Sequence, residues 1–379
     1  MKKLMITVFL SILLIPGICF ADEIADSLFD SGVSDTFSDA ADKSSNIDAV
    51  YKDFDFSEFA KKIANAENVF KPDSIVKKGV HLFFGSVAES ARLLTVLIAL
   101  AVVGGIITNL ESSFNSKSTS EIAFFAFYTM YIGILTVSFY TCVKSAKDAV
   151  EQQSAFLQAA TPTYISMLIA TGSVVSATAV KPILLYFTSL ISIAVKDFLI
   201  PASLMIFVMS VINNLSGKIH ITKFVNLARM IVTRTLTVIM TVFVTLLTLS
   251  GMGAKGVDKF SVRAAKYAAQ NFVPVVGNVL SSTVDTVFAS AAVVKNALGV
   301  AGIAVIAIIC IYPIIKFAAL ILIYRLAASV IEPIADKRIS NAVNEAASGI
   351  SMLFSLLVSV TVVFSLSIAL LTEFAAGGG

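Results

Sequence analysis

The sequence of 379 residues has no tryptophan, two histidines and three cysteines. Charged residues make up 14% of it, against about 25% in a soluble domain. Each scarcity excludes something. The low charge rules out an ordinary soluble globule and a disordered chain. His81 and His220 lie far apart and in no metal-ligand spacing, which argues against a zinc or haem site. Without tryptophan, an interfacial aromatic belt has to be built from tyrosine and phenylalanine. Cys19 falls near the N-terminus, while Cys142 and Cys310 each sit inside an apolar run. A disulfide framework is therefore absent, and the two internal cysteines read as small core residues.

What is present is apolar surface. Hydrophobic residues make up 57% of the chain, and the mean hydropathy is +0.89. The net charge of +3 hides two unlike parts. Residues 22–90 carry a net −7, and residues 91–379 a net +8. A short acidic head thus precedes a long, apolar, basic body, and overall basicity does not point to nucleic acid.

Residues 1–21 read as a cleavable signal peptide. Lys2 and Lys3 form its basic start, Leu4 to Ile15 its apolar run, and Pro16-Gly17 the break before Ala21. Cleavage there places the head, residues 22–90, on the extracytoplasmic side. Within it, Phe56, Phe59, Ala60, Ile63 and Ala64 have helical spacing, and a second helix is expected over 74–90. About 70 residues bury little surface unaided, so the head has to pack on the membrane body or on a partner.

In the body, gaps between charges locate the spans. Clean ones cover about 93–110, 122–143, 235–253 and 350–371. Residues 160–215 hold Pro162, Pro182 and Pro201, and residues 298–335 hold Pro313 and Pro333. Both regions read as broken helices, which lipid tolerates only where protein or a watery cavity satisfies the freed backbone. Residues 144–160 are expected to be a loop. Over 254–297, Lys255, Lys259, Arg263 and Lys266 share one helical face, so this segment reads as amphipathic and interfacial, with a re-entrant turn around Pro274 and Gly277. The fold class is all-α: a polytopic membrane helix bundle of about 7–9 spans, some broken or re-entrant, behind a small helical extracytoplasmic segment. The basic stretch 218–234 is expected on the cytoplasmic side.

No catalytic set emerges. The string GMGAKG over Gly251 to Gly256 matches a dinucleotide fingerprint, but it follows a membrane span rather than a strand. Its glycines are expected to end the span at 235–253. What remains is charge within apolar segments, which costs about 2.5–3.5 kcal/mol at mid-bilayer unless paired. Lys181, Lys196 and Arg325 read as snorkelling from helix ends. Asp285, Lys295, Lys316 and Glu332 are the candidates for interior pairing, with Pro274, Gly277, Pro313 and Pro333 as structural positions. No cofactor is implied.

Three strings in order, AKYAAQNFVPVVGNV, TVDTVFASAAVVKNALGVAGIAV and YPIIKFAALILIYRLAASVIEP, span Ala265 to Pro333. Together they resemble the stage III sporulation protein AE family of endospore-forming bacteria. The resemblance rests on Asn271, Pro274, Gly277, Asp285, Lys295, Asn296, Gly299, Pro313, Lys316 and Pro333. It implies a non-enzymatic membrane core or channel component of a secretion-like complex between mother cell and forespore, needed for late forespore gene expression. It implies residence in the mother-cell-derived membrane around the forespore. It also implies partners: other subunits of the complex, ring-forming proteins among them, and a forespore docking protein. Membrane lipid is a partner by composition, nucleic acid is not, and oligomerisation is left open. The alternative reading is a stand-alone secondary transporter, based on the broken helices, the buried charges and the similar spacing of Pro182 to Pro201 and Pro313 to Pro333.

Overall fold

The computed structural model describes residues 56–64, 72–113, 117–215, 221–272 and 277–373. The leader, the acidic stretch before Phe56 and Pro274 lie outside the described residues. All regular structure among the described residues is helical. The elements are α1 (Phe56–Ala64), α2 (Pro72–Ser113), α3 (Lys117–Ala170), α4 (Val174–Ile193), a π segment (Ala194–Leu199), α5 (Ile200–Leu215), α6 (Thr222–Phe272), α7 (Gly277–Ile331) and α8 (Lys337–Glu373). Among the described residues, six stretches are long and apolar enough to cross a membrane, α4 and α5 counting as one with the π segment between them.

The all-α membrane bundle matches the reading from composition, with fewer and longer elements than the charge gaps imply. Charges in the α3 region do not interrupt the helix. Lys144, Lys147, Asp148 and Glu151 lie within it, so 144–160 is helix rather than loop. Helix α6 likewise runs through Gly251 to Gly256 and into the basic stretch, and does not end at 253. Helix α2 joins the expected head helix to the first span without a break. At about 1.5 Å per residue, the 54 residues of α3 reach roughly 80 Å, well beyond a hydrocarbon core of about 30 Å.

The prolines act unequally. Pro162, Pro182 and Pro313 sit inside continuous helices. Region 298–331 is therefore unbroken at Pro313, contrary to expectation. Pro201 cannot donate to the carbonyl of Asp197, and the helix widens into the six-residue π segment just before it. Pro333 does mark an end. The chain turns over residues 332–336, with the Ile334 and Ala335 amides donating to the Ile331 carbonyl at 3.0 and 2.9 Å.

Helix α8 is the hub, packing against α3, α5, α6 and α7. It buries a broad face, centred on Ile339, Val343, Ile350, Leu353, Leu357 and Phe364 and widened by Ala347, Gly349, Leu356 and Val363. In lipid there is no hydrophobic drive between helices, so close packing of small residues has to supply the attraction. Helix α8 offers Ala342, Ala346, Ala347 and Gly349 for this, and α7 offers Ala297, Ala301 and Gly302. A Cβ at Gly349 would stand 2.6 Å from the Phe139 ring. At the other side of the bundle, Ala60 of α1 is fully buried, and α1 lies on α7.

Candidate functional site

The sequence candidates do not form one cluster. Lys295 is 1% exposed, and its ammonium donates to the Thr372 carbonyl oxygen at the end of α8. Lys316 lies 21 residues further along α7, about 30 Å away on a straight helix. It is half-buried in a lateral groove. Glu332 and Pro333 are exposed on the α7–α8 turn, so Glu332 makes no interior pair. The helix ends at Ile331, one residue before it, which puts its carboxylate on the rim. Pro313 is buried within α7, and Gly277 opens that helix. Asp285 lies in α7, but its side chain is outside the described ones. Lys181 and Arg325 are exposed, as snorkelling requires, while Lys196 pairs with Glu151 at 3.4 Å.

Four other groups of polar residues are brought together. In the middle of the bundle, the Gln153 amide donates to the Cys310 sulfur at 2.8 Å, and Cys310 Sγ lies 2.8 Å from Thr361 Oγ1. These residues come from α3, α7 and α8, and all three are at most 1% exposed. Gln153 Oε1 has no hydrogen-bond partner among the described residues. Such a layer ties three helices at one level and penalises sliding.

The second group is a cap supplied from afar. Helix α3 ends in a tight turn at Gly172, whose φ of 77° is left-handed. A Cβ there would also press on Val262 and Phe288 at 3.0 and 3.1 Å. Ser173 stands at the N-cap of α4 but makes no side-chain cap bond. Instead, Asp258 of α6, 1% exposed, accepts from the Val175 and Ser176 amides at 2.7 and 2.8 Å. A carboxylate thus satisfies two orphan donors and meets the positive end of the helix dipole.

The third group joins α5, α6 and α8. Arg229 donates to Glu345 and, at 3.1 Å, to Ser210. The fourth is the α7–α8 turn. Asp336 accepts from the Arg338 amide at 2.8 Å and from its guanidinium at 3.1 Å. Arg338 in turn lies 3.8 Å from the centre of the Phe124 ring. Burial pushes the Asp336 carboxyl up, but the bonds and charge of Arg338 outweigh it and hold the group below its ordinary value.

The groove lies between α2, α3 and α7 and has a volume of about 540 Å³. Its polar lining includes Glu89, Lys316, Ser90, Ser138 and Thr141, and Leu93, Met130, Ile134, Val137 and Leu320 contribute apolar wall. On its inner side, the Tyr324 hydroxyl donates to Ser138 Oγ at 2.6 Å. Glu89 and Lys316 form no ion pair among the described residues.

Sequence reasoning missed Asp258, Gln153 and Glu89. The signal for Asp258 is that it is the one acid between Lys255 and Lys266. Gln153 follows a charged stretch that looks like a loop. Glu89 lies where the head was expected to end.

Among the described residues, six membrane-length apolar stretches, five of them gathered about the sixth, α8, define a polytopic α-helical membrane protein. The family model for stage III sporulation protein AE matches residues 54–375, and the chain belongs to that family. A curated relative, stage III sporulation protein AE of Bacillus subtilis (strain 168), is 26% identical over 307 residues, covering 81% of this chain and 77% of the relative. No solved structure matches. The chain is thus a multi-pass membrane protein of a sporulation family, as the strings between Ala265 and Pro333 imply.

Proposed function

We propose that the chain is a non-enzymatic membrane core component of a secretion-like complex between mother cell and forespore. In this reading it sits in the mother-cell-derived membrane around the forespore, with its head between the two membranes. It works with ring-forming subunits and a forespore docking protein, and it sustains late forespore gene expression. Family membership carries the reading. The packing of α8 supports a core over a carrier. Helix α8 is buried over more than half of its circumference, which leaves little room for a path along it within one chain. A conduit would then lie between copies or against other subunits. The charges that would serve a transporter, Lys295, Lys316 and Glu332, are spread along α7 and its end rather than gathered at one level. The α3–α4 break, a candidate substrate site in a carrier, is filled by Asp258.

The test is deletion of the gene in a sporulating host, read by a late forespore reporter after engulfment is complete. The expected result is engulfed forespores with the reporter silent, and recovery of the complex subunits with the tagged wild-type protein. Normal spore yield in the deletion strain overturns the proposal. So does substrate uptake by the purified protein alone.

A further inference from the structure

The groove between α2, α3 and α7 combines three features that do not arise from helix packing alone. It is large for a lateral gap between helices, at about 540 Å³, within the range of about 300–1,000 Å³ usual for small-molecule sites. Its walls are mostly apolar, and Met130 and Val137 on its rim are 51% and 69% exposed. It also holds one carboxylate, Glu89, and one ammonium, Lys316, which do not pair with each other or with other described residues. The nearest favourable partner of Lys316 is the Tyr312 ring, 5.9 Å from its ammonium, which is at the limit of a cation–π contact.

An acid and a base sharing an apolar groove without meeting are complementary to a ligand with both charges and an apolar tail. We infer that this groove binds a phospholipid with a primary-ammonium headgroup, its phosphate on Lys316, its ammonium on Glu89 and an acyl chain along Leu93, Ile134, Val137 and Leu320. Charge complementarity selects this occupant over the alternatives. A free fatty acid or an anionic phospholipid leaves Glu89 facing negative charge. A neutral glyceride leaves the half-buried Lys316 ammonium without a counter-charge beside hydrocarbon. The hydroxyls of Ser90 and Ser138 lie in the same lining and offer donors to the phosphate oxygens, while that of Thr141 is turned to the Val137 carbonyl. A primary ammonium can donate hydrogen bonds to Glu89, and a quaternary one cannot. The groove therefore discriminates aminoethyl from choline headgroups.

The experiment uses the full chain in detergent. Lipid adducts are read by native mass spectrometry after exchange against phosphatidylethanolamine, phosphatidylcholine or phosphatidylglycerol, and against inorganic phosphate. The wild type is expected to hold one phosphatidylethanolamine, with an affinity at least about tenfold above phosphatidylcholine, the worth of one charge-assisted hydrogen bond. Lys316→Ala is expected to abolish retention of any phospholipid. Glu89→Gln is expected to retain lipid but to erase the headgroup preference. Val137→Trp, at an exposed rim position, should exclude lipid with both charges in place, and helical circular dichroism confirms that each variant is folded. The proposal is overturned by equal retention in wild type and Lys316→Ala. It is also overturned by an unchanged preference in Glu89→Gln, by tighter binding of phosphatidylglycerol, or by displacement of the lipid by inorganic phosphate alone.

Discussion

Asp258 offers the sharpest test of how the bundle is held together. Its carboxylate accepts two short bonds from the first turn of α4, at 2.7 and 2.8 Å, in a site that is 1% exposed. A charge-assisted hydrogen bond nets about 1.5–3 kcal/mol, so two set an upper figure of about 3–6 kcal/mol. Desolvation of the carboxylate offsets part of this, and Asp258→Ala removes that cost as well as the bonds. The expected loss is about 2–3 kcal/mol, at or just above the range of about 0.5–2 kcal/mol for local caps. Asp258→Asn keeps one acceptor but turns an amide N–H toward the other backbone donor, so it recovers less than half of the loss. Tryptophan fluorescence is not available in this chain. Cys142 and Cys310 are both buried, however, so a thiol-reactive dye reports unfolding once Cys19 is removed. Under heating in detergent, Asp258→Ala should expose those thiols several degrees below the wild type. A shift of less than a degree would mean that water caps α4 equally well, and the reasoning would fail.

Further outcomes are expected from other contacts. A Cβ at Gly105 would stand 2.5 Å from the Ile334 carbonyl oxygen, a backbone atom in the α7–α8 turn. Gly105→Val should therefore cost about 1–3 kcal/mol by overpacking, seen as earlier thiol exposure. Cys310→Ala strands the Gln153 amide and should cost about 1–3 kcal/mol, whereas Cys310→Ser keeps both bonds and should lose less than half as much. Because the Asp336 carboxyl is held below its ordinary value, its contribution is fully present above about pH 4 and is lost as the pH falls through the lower folded value. Asp336→Asn should flatten that acid limb in unfolding measured from pH 6 downward. Arg229 and Glu345 should show a coupling of about 1 kcal/mol in a double-mutant cycle, and additive losses would show the pair to be idle.

The class of fold is legible because membrane helices announce themselves in composition. Apolar gaps between charges found α8, the apolar part of α6 and the start of α3. The joins were less legible. A polar stretch such as Lys144 to Gln153 looks like a loop when one assumes a helix no longer than the bilayer is thick. Helix α3 instead continues beyond that thickness and buries Gln153 against α7 and α8. Pro313 reads as a break because proline removes one backbone bond, but α7 continues through it. A charge in an apolar run marks a costly position but does not name its partner. Lys295 finds a carbonyl 77 residues away, and the cap of α4 comes from 83 residues away. No local spacing encodes such pairs.

The central place of α8 has a consequence for biosynthesis. This helix follows every other described helix in the chain, yet it is the one around which α3, α5, α6 and α7 close. During translation at about 5–20 residues per second, the earlier helices enter the membrane with the seat for α8 vacant. Cys310 then lacks Thr361, and Lys295 lacks its carbonyl. The nascent bundle stays open laterally until the last 37-residue helix arrives. That interval is when lipid, an insertase or a neighbouring subunit has access to the interior, and when a shortened chain is recognisable to a membrane protease.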